Sequence, residues 1–248
     1  KRFSMSNINN ITGLTPKQVE IYFCWDEIDK KFKSIVGFCF LGGLVDLIFL
    51  EFYLLTFILL IVVGIAYYLY SKKKKILPTD EQIDNAWDAL AVSREEEVYR
   101  VANFKKSNVI RDSDFFLGFP LETGVCKYRE RISKQDNALR RNYLDIIRLI
   151  YGEDQIISFR ETLCLEDGWD GLDEIKEYYW EDVAGIEFDQ KEASFMIMSG
   201  GRASYYPLGK VDNNNLQEQQ SSLVLYMKKC ESIANALRSV LRSKKAKK

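Results

Sequence analysis

The chain has 248 residues with a formal net charge of −1, 47% hydrophobic and 29% charged residues, and no histidine. This composition is too apolar for a disordered chain, and the near-neutral charge argues against a nucleic-acid-binding protein that works through a global basic field. The absence of histidine excludes a Ser-His-Asp or Cys-His nucleophile system, a histidine-containing zinc site and a histidine-ligated haem.

The first predicted element is an amphipathic helix that begins at a capping signal. Thr15 can cap it, Pro16 suits its first position and Gln18 can reach back to the cap. Two interpretations stay open for this N-terminal element, residues 1–33. The helix either anchors at the membrane interface or packs against the rest of the protein.

The next segment, residues 34–71, is strongly apolar and contains no Lys or Arg. One helical pass needs about 20 residues, so a run of this length fits two short spans joined by a turn. We therefore predict a transmembrane helical hairpin with spans at about 34–50 and 52–70. Positive residues flank the run on both sides, which keeps both ends cytoplasmic and requires an even number of crossings. They are Lys30, Lys31 and Lys33 before the run and Lys72, Lys73, Lys74 and Lys75 after it.

Two groups of charged residues in and beside this hairpin are candidate functional residues. Asp46 and Glu51, the only acids in the run, either lie solvated in the external turn or lie deep in the bilayer. In the second case they would serve an ion path or a contact between subunits, but the length of the spans favours the turn. The lysines from Lys72 to Lys75 are candidates for binding anionic lipid headgroups, although a stop signal also explains them.

A linker helix and a strand-rich domain follow. Thr79 and Gln82 form a second capping box, which opens a helix from about Asp80 to Phe104 with a break near Ser93, within a linker at residues 72–112. From Phe115 onward, short runs rich in Ile, Tyr, Phe, Leu and Val alternate with polar turns, which predicts an antiparallel meander of six or seven strands.

The last predicted element is an amphipathic helix whose apolar face includes Ile233, Leu237 and Leu241. An antiparallel sheet of this size must cover its apolar face or close on itself. We therefore predict that residues 113–248 form a cytosolic, partly open barrel capped by this C-terminal helix.

The meander from Tyr143 to Leu208, which includes YYWEDVAGIEF, and the helix from Ser222 to Leu241 resemble the pleckstrin-homology-like fold, and Tyr178 to Phe188 resembles the strand pair of small bacterial domains of that class. The resemblance covers about half of the chain and rests on the order and composition of the elements. It implies an α+β fold in which binding and scaffolding are more common than catalysis.

The motifs that would indicate catalysis or metal binding are incomplete. In Leu208-Gly209-Lys210-Val211, valine replaces the Ser or Thr that a phosphate-binding loop requires. The acidic loop from Glu166 to Asp173 lacks EF-hand spacing, which favours a solvated turn over a metal site. The five cysteines are dispersed without a C-x-x-C pair, so we expect free thiols in a reducing compartment.

One further basic group stands on the first strands of the predicted domain. Arg140 and Arg141 either form a face for a phosphate, a lipid or a protein partner, or belong to a solvated surface of mixed charge. The acids that alternate with them along the chain favour the mixed surface.

The sequence therefore predicts an α+β protein of the bacterial inner membrane, multi-pass, with both termini in the cytoplasm. We expect no enzymatic activity, no catalytic residues, no cofactor, no metal and no nucleic-acid partner. The cytosolic domain is expected to bind a protein partner, or a second copy of the chain, and to scaffold a membrane complex in contact with lipid. The alternative is an oligomeric membrane pore or effector whose β domain senses a trigger.

Overall fold

The computed structural model describes residues 5–49, 53–118, 129–136, 138–166, 170–189, 194–207 and 220–246. In these ranges the chain is α+β, with antiparallel sheets and a C-terminal helix. The helices are α1 (Met5–Thr12), α2 (Pro16–Phe23), α3 (Trp25–Phe49), α4 (Tyr53–Lys75), α5 (Asp80–Ser93), α6 (Glu95–Val101) and α7 (Gln220–Lys245). The strands are β1 (Val109–Gly118), β2 (Glu130–Ile132), β3 (Leu139–Arg141), β4 (Tyr143–Gly152), β5 (Gln155–Cys164), β6 (Asp170–Tyr179), β7 (Val183–Asp189), β8 (Ser194–Ser199) and β9 (Arg202–Pro207).

Local sequence signals explain where the helices begin and break. Both predicted capping boxes are present: the hydroxyls of Thr15 and Thr79 accept hydrogen bonds from the backbone amides of Gln18 and Gln82, at 3.3 and 3.2 Å. The predicted break near Ser93 separates α5 from α6. A second break, which the apolar periodicity did not indicate, separates α2 from α3 at position 24.

Two antiparallel sheets form the body of the β domain. Strands β1, β4, β5 and β6 form a four-stranded sheet in that order, and β7, β8 and β9 form a three-stranded meander. Strands β2 and β3 form a separate hairpin between β1 and β4. Gly200 and Gly201 make the turn between β8 and β9 with φ of 57° and 74°, left-handed values that glycine adopts without strain.

The central strand β4 is buried along its whole length. Ile147 and Leu149 pack into a core shared by both sheets and α7. Ile146 and Ile150 point the other way, where Ile146 packs with α5 and Ile150 with α6. Because side chains alternate along a strand, β4 contributes to cores on both of its faces. The domain therefore has a layer of helices, a four-stranded sheet, and a three-stranded sheet with α7.

The predicted apolar face of α7 is confirmed where its burial is described. Ile233, Leu237 and Leu241 all join the core between the two sheets. Arg238, on the same helix, donates from Nε to the carbonyl of Ile186 in β7 at 2.7 Å. The helix therefore covers the edge of the three-stranded sheet as well as one end of its core.

The N-terminal helix packs against the protein, which favours the second of its two interpretations. Val19, Tyr22 and Phe23 of α2 are buried in a cluster with α5 and with Leu144 of β4. With its apolar side chains already buried, α2 has no comparable apolar face left for a membrane interface.

The prediction of free thiols is confirmed for two cysteines and wrong for a third. Cys24 and Cys39 are free. Cys164, completely buried at the end of β5, is disulfide-bonded. Dispersed spacing along the chain does not reveal such a bond, because the fold decides which thiols meet.

Candidate functional site

Helix α4 carries an apolar surface that the rest of the described chain leaves uncovered. From Thr56 to Lys75 the mean hydropathy is 1.4, and none of the window is buried. Among the described residues it is the one helix long and apolar enough to cross a membrane, judged by length and composition. Its side chains include Phe57, Leu60 and Ile65, which are 61%, 65% and 56% exposed. A contiguous apolar surface of this kind marks a membrane or protein interaction site.

The C-terminal end of α4 is held by Tyr70, which packs on α3. Its ring stacks on Phe32 with the centroids 4.2 Å apart and lies 5.2 Å from the ring of Trp25. Its hydroxyl donates a hydrogen bond of 3.0 Å to Asp29. These three contacts place the start of α3 beside the end of α4, so the two helices run antiparallel.

Farther along the pair, Gly42 of α3 lies against Leu59 of α4. A Cβ added to Gly42 would lie 3.0 Å from Leu59 Cδ1, so the two helices approach closely here. The outward side of α3 is also apolar, and Phe38, Phe40 and Leu41 are 75%, 67% and 64% exposed. The uncovered apolar surface therefore extends over both helices.

The close approach predicts a difference between two glycines of α3. Replacing Gly42 with Leu puts a side chain where Leu59 lies, and we expect the free energy of unfolding in detergent to fall by about 1–3 kcal/mol, the usual cost of overpacking. Gly37→Leu is the matched control, because no described atom outside the adjacent part of α3 itself lies within 4 Å of a Cβ built at Gly37. Thermal unfolding in one detergent compares them. Equal destabilisation by both substitutions would contradict the packing of α3 on α4.

The structure describes only some of the predicted membrane residues. Lys72, Lys73, Lys74 and Lys75 form the last turn of α4 and are all exposed. Asp46 lies in the last turn of α3, but its side chain and the whole of Glu51 lie outside the described residues. No observation on these two acids therefore favours the pore hypothesis over an anchor.

The guanidinium of Arg140 lies between two carboxylates. Its Nε donates to Asp84 of α5 at 2.8 Å, and its Nη2 donates to Asp136 at 2.7 Å. Burial disfavours the charge on Arg140, but these hydrogen bonds outweigh it and raise its pKa. The hydrogen bond from Arg140 in turn lowers the pKa of Asp136 to about 2. Arg140 thus ties the β2–β3 hairpin to α5.

Arg141 makes contacts of the same kind. Its Nε donates to Glu130 across the hairpin at 3.3 Å, and its carbonyl accepts from the indole of Trp87 at 3.2 Å. The structure thus engages both arginines with neighbouring elements. A ligand or partner face at Arg140 and Arg141 stays a prediction.

The β2–β3 hairpin also contacts the residues where α2 ends and α3 begins. The guanidinium carbon of Arg131 lies 4.5 Å from the ring centroid of Tyr22, and Arg131 Nε is 3.6 Å from Asp26 in the first turn of α3. Lys134 adds a second ion pair with Asp26 at 3.4 Å. The hydroxyl of Tyr22 donates to Asp80 of α5 at 2.6 Å. The hairpin therefore connects the base of the helix pair to the β domain.

A buried ion pair, which sequence reasoning missed, joins the helical layer to the sheet. Arg94, between α5 and α6, donates from Nε to Glu161 of β5 at 2.7 Å, and a second guanidinium nitrogen contacts the other carboxylate oxygen. Arg148 of β4 is also buried and donates to the carbonyl of Ala91 at 2.5 Å. Because the partners are more than 50 residues apart in sequence, charge spacing along the chain gives no indication of them.

In the part of the chain that the structure describes, no group of three or more Cys, Asp or Glu side chains is placed to hold a metal ion. The acidic loop from Glu166 to Asp173 lies partly outside that part.

Comparison with protein-family models, curated proteins and solved structures finds no match. The geometry of the helix pair and of the β domain is therefore the basis for assigning a function.

Proposed function

We propose that the protein is a membrane-anchored, non-enzymatic binding protein, in which α3 and α4 insert as a two-span hairpin and the β domain lies in the cytoplasm. The observation that carries this proposal is the uncovered apolar surface of α4, which packs on α3 and ends in four lysines. From Tyr53 to Tyr70 a rise of about 1.5 Å per residue gives about 26 Å, close to the hydrocarbon thickness of about 30 Å. Lysines on both flanks support cytoplasmic ends, as in a bacterial inner membrane. The disulfide of Cys164 is the observation that points the other way, because such bonds are rare in a reducing compartment.

We assign the β domain to the pleckstrin-homology-like class. Four strands in one antiparallel sheet and three in another share a single apolar core with the C-terminal helix, which supports this assignment. The β2–β3 hairpin is an insertion between the first and second strands of the larger sheet. Domains of this class bind and scaffold more often than they catalyse, so we propose that this one recruits a protein partner to the membrane.

The outer face of the three-stranded sheet supports a protein partner. Phe195 and Ile197 of β8 are buried, so Met196 and Met198 point away from the core. Tyr205 pairs with Met196 from the neighbouring strand and is 62% exposed. Methionine and tyrosine are adaptable, amphipathic side chains that are enriched where proteins dock.

The anchor is tested by extraction and protease protection of the full-length protein. We expect it to stay in the membrane at alkaline pH, because the helix pair is held by hydrocarbon and not by charge. Protease should degrade the β domain in inverted inner-membrane vesicles and leave it intact in spheroplasts. Release at alkaline pH, or digestion of the β domain from outside the cell, would overturn the proposal.

The partner is tested with a photo-reactive amino acid at Tyr205, and at Tyr179 as the matched control. Both tyrosines are exposed, at 62% and 47%, but Tyr179 lies at the end of β6, in the four-stranded sheet, whereas the methionines belong to the three-stranded sheet. We expect a discrete cross-linked species from position 205 alone, and the same added mass in native mass spectrometry of the detergent-extracted protein. A partner-free monomer without an adduct at position 205 would contradict protein recognition by this face.

A further inference from the structure

The contacts between α3 and α4 set the level of each residue along the helix pair. Phe32 lies beside Tyr70, and Gly42 lies beside Leu59. Moving one residue forward along α3 therefore corresponds to moving about one residue back along α4. The lysines before the apolar run therefore lie level with those after it. We call this group the lysine collar; its members are Lys30, Lys31, Lys33, Lys72, Lys73, Lys74 and Lys75.

The collar lies next to the apolar surface and has the depth of a headgroup layer. At a rise of about 1.5 Å per residue it covers about 10 Å along the pair, against a headgroup layer of roughly 5–8 Å on each side of a bilayer. All seven lysines are exposed. Tyr67 and Tyr68, 62% and 64% exposed, precede it where an interfacial aromatic belt belongs.

Most of the positive charge in the collar is not neutralised by the described part of the chain. Lys33 pairs with Asp29 at 2.7 Å, and within the described ranges the other six lysines take no ion pair. Asp26, an acid at the same level, is matched by Lys134 and Arg131. The exposed Glu27 offsets only one of the six remaining lysines. The collar is therefore a positively charged surface at one end of the apolar helix pair.

We propose that the lysine collar binds anionic phospholipid headgroups, so that the protein prefers anionic to zwitterionic lipid. This inference rests on the proposed membrane insertion. A stop signal needs only positive charge during insertion, and it predicts no preference among lipids once the protein is inserted. Headgroup binding predicts a lasting preference, because each lysine near the surface attracts anionic lipid.

The test titrates the full-length protein in a non-ionic detergent with short-chain phosphatidylglycerol or phosphatidylcholine and follows the unfolding temperature. A ligand that binds the folded state raises that temperature by an amount that grows with the logarithm of its concentration relative to its Kd. We expect phosphatidylglycerol to raise it and phosphatidylcholine to leave it unchanged. The combined variant Lys73→Gln, Lys74→Gln, Lys75→Gln should weaken the apparent affinity for phosphatidylglycerol on the order of 100-fold, about fivefold per lysine.

The matched control removes three exposed positive charges far from the collar in sequence: Lys105→Gln, Arg242→Gln and Lys245→Gln. We expect this variant to keep the affinity of the unchanged protein. Equal responses to the two lipids, or equal losses in both variants, would overturn the inference. A response to glycerol phosphate as large as that to the lipid would also overturn it, since a soluble anion would then suffice.

The two proposals fail in different ways. If the protein shows no lipid preference but still resists alkaline extraction, the proposed membrane anchor is retained and the proposed headgroup binding is wrong. If the unchanged protein is extracted, the anchor itself falls.

Discussion

Replacing Glu161 with Gln is expected to lower the free energy of unfolding by about 3–5 kcal/mol, the cost of disturbing one partner of a buried ion pair. The carboxylate of Glu161 is fully buried and accepts two hydrogen bonds from Arg94, whose side chain is 7% exposed. The substitution leaves the buried guanidinium facing a neutral amide. Denaturant unfolding of the full-length protein in detergent, followed by tryptophan fluorescence, measures the loss.

Two further variants separate the buried charge from the loss of a side chain. Glu174→Gln is the control for an acid that pairs with Lys176 while both side chains are more than one third exposed, and it should cost at most about 1 kcal/mol. The double variant Arg94→Met, Glu161→Leu removes both charges and should be more stable than Glu161→Gln. If Glu161→Gln cost no more than Glu174→Gln, the pair would not hold the helical layer to the sheet.

The second large effect is expected at α7, where Leu237→Ala should lower the free energy of unfolding by about 2–5 kcal/mol. Leu237 is fully buried in the core that α7 shares with both sheets, so truncation leaves a cavity that the strands fill only in part. The hydrogen bond from Arg238 to the carbonyl of Ile186 depends on the same docking.

The control for α7 is Ser239→Ala, an exposed position on the same helix, which should change the free energy of unfolding by less than about 0.5 kcal/mol. Limited proteolysis adds a local readout, because a loosened helix exposes its own backbone before the sheets unfold. Cleavage within α7 should be faster in Leu237→Ala than in Ser239→Ala. Equal rates would show that Leu237 does not dock the helix.

The elements that the sequence predicts are those with local causes. The two capping boxes begin α2 and α5 because three-residue spacings decide them. The turn at Gly200 and Gly201 follows from the φ values that glycine allows. The first half of β1 escaped prediction because VIRDSD is charged and its pairing with β4 shifts register between Val109 and Asp114. This part of the strand forms because it pairs with β4, and no local sequence pattern indicates that pairing.

The candidate site divides in the same way. The apolar run and its flanking lysines are visible in the sequence, but their alignment into one collar depends on the antiparallel register of α3 and α4. Arg140 looks like a surface cation in sequence, yet Asp84, 56 residues away, meets its guanidinium. Such pairs are products of tertiary packing, so composition and spacing cannot distinguish a ligand-binding arginine from one that holds two elements together.

The burial of β4 on both faces determines which fragments of this protein can be made. A fragment that begins at β1 would present Leu144, Ile146 and Ile150 to water, because their packing partners belong to the helices before it. Such a fragment would be expected to aggregate. A soluble version of the β domain therefore needs α5 and α6, which follow the cap at Thr79, and also α2, whose Val19 and Tyr22 cover α5 and Leu144.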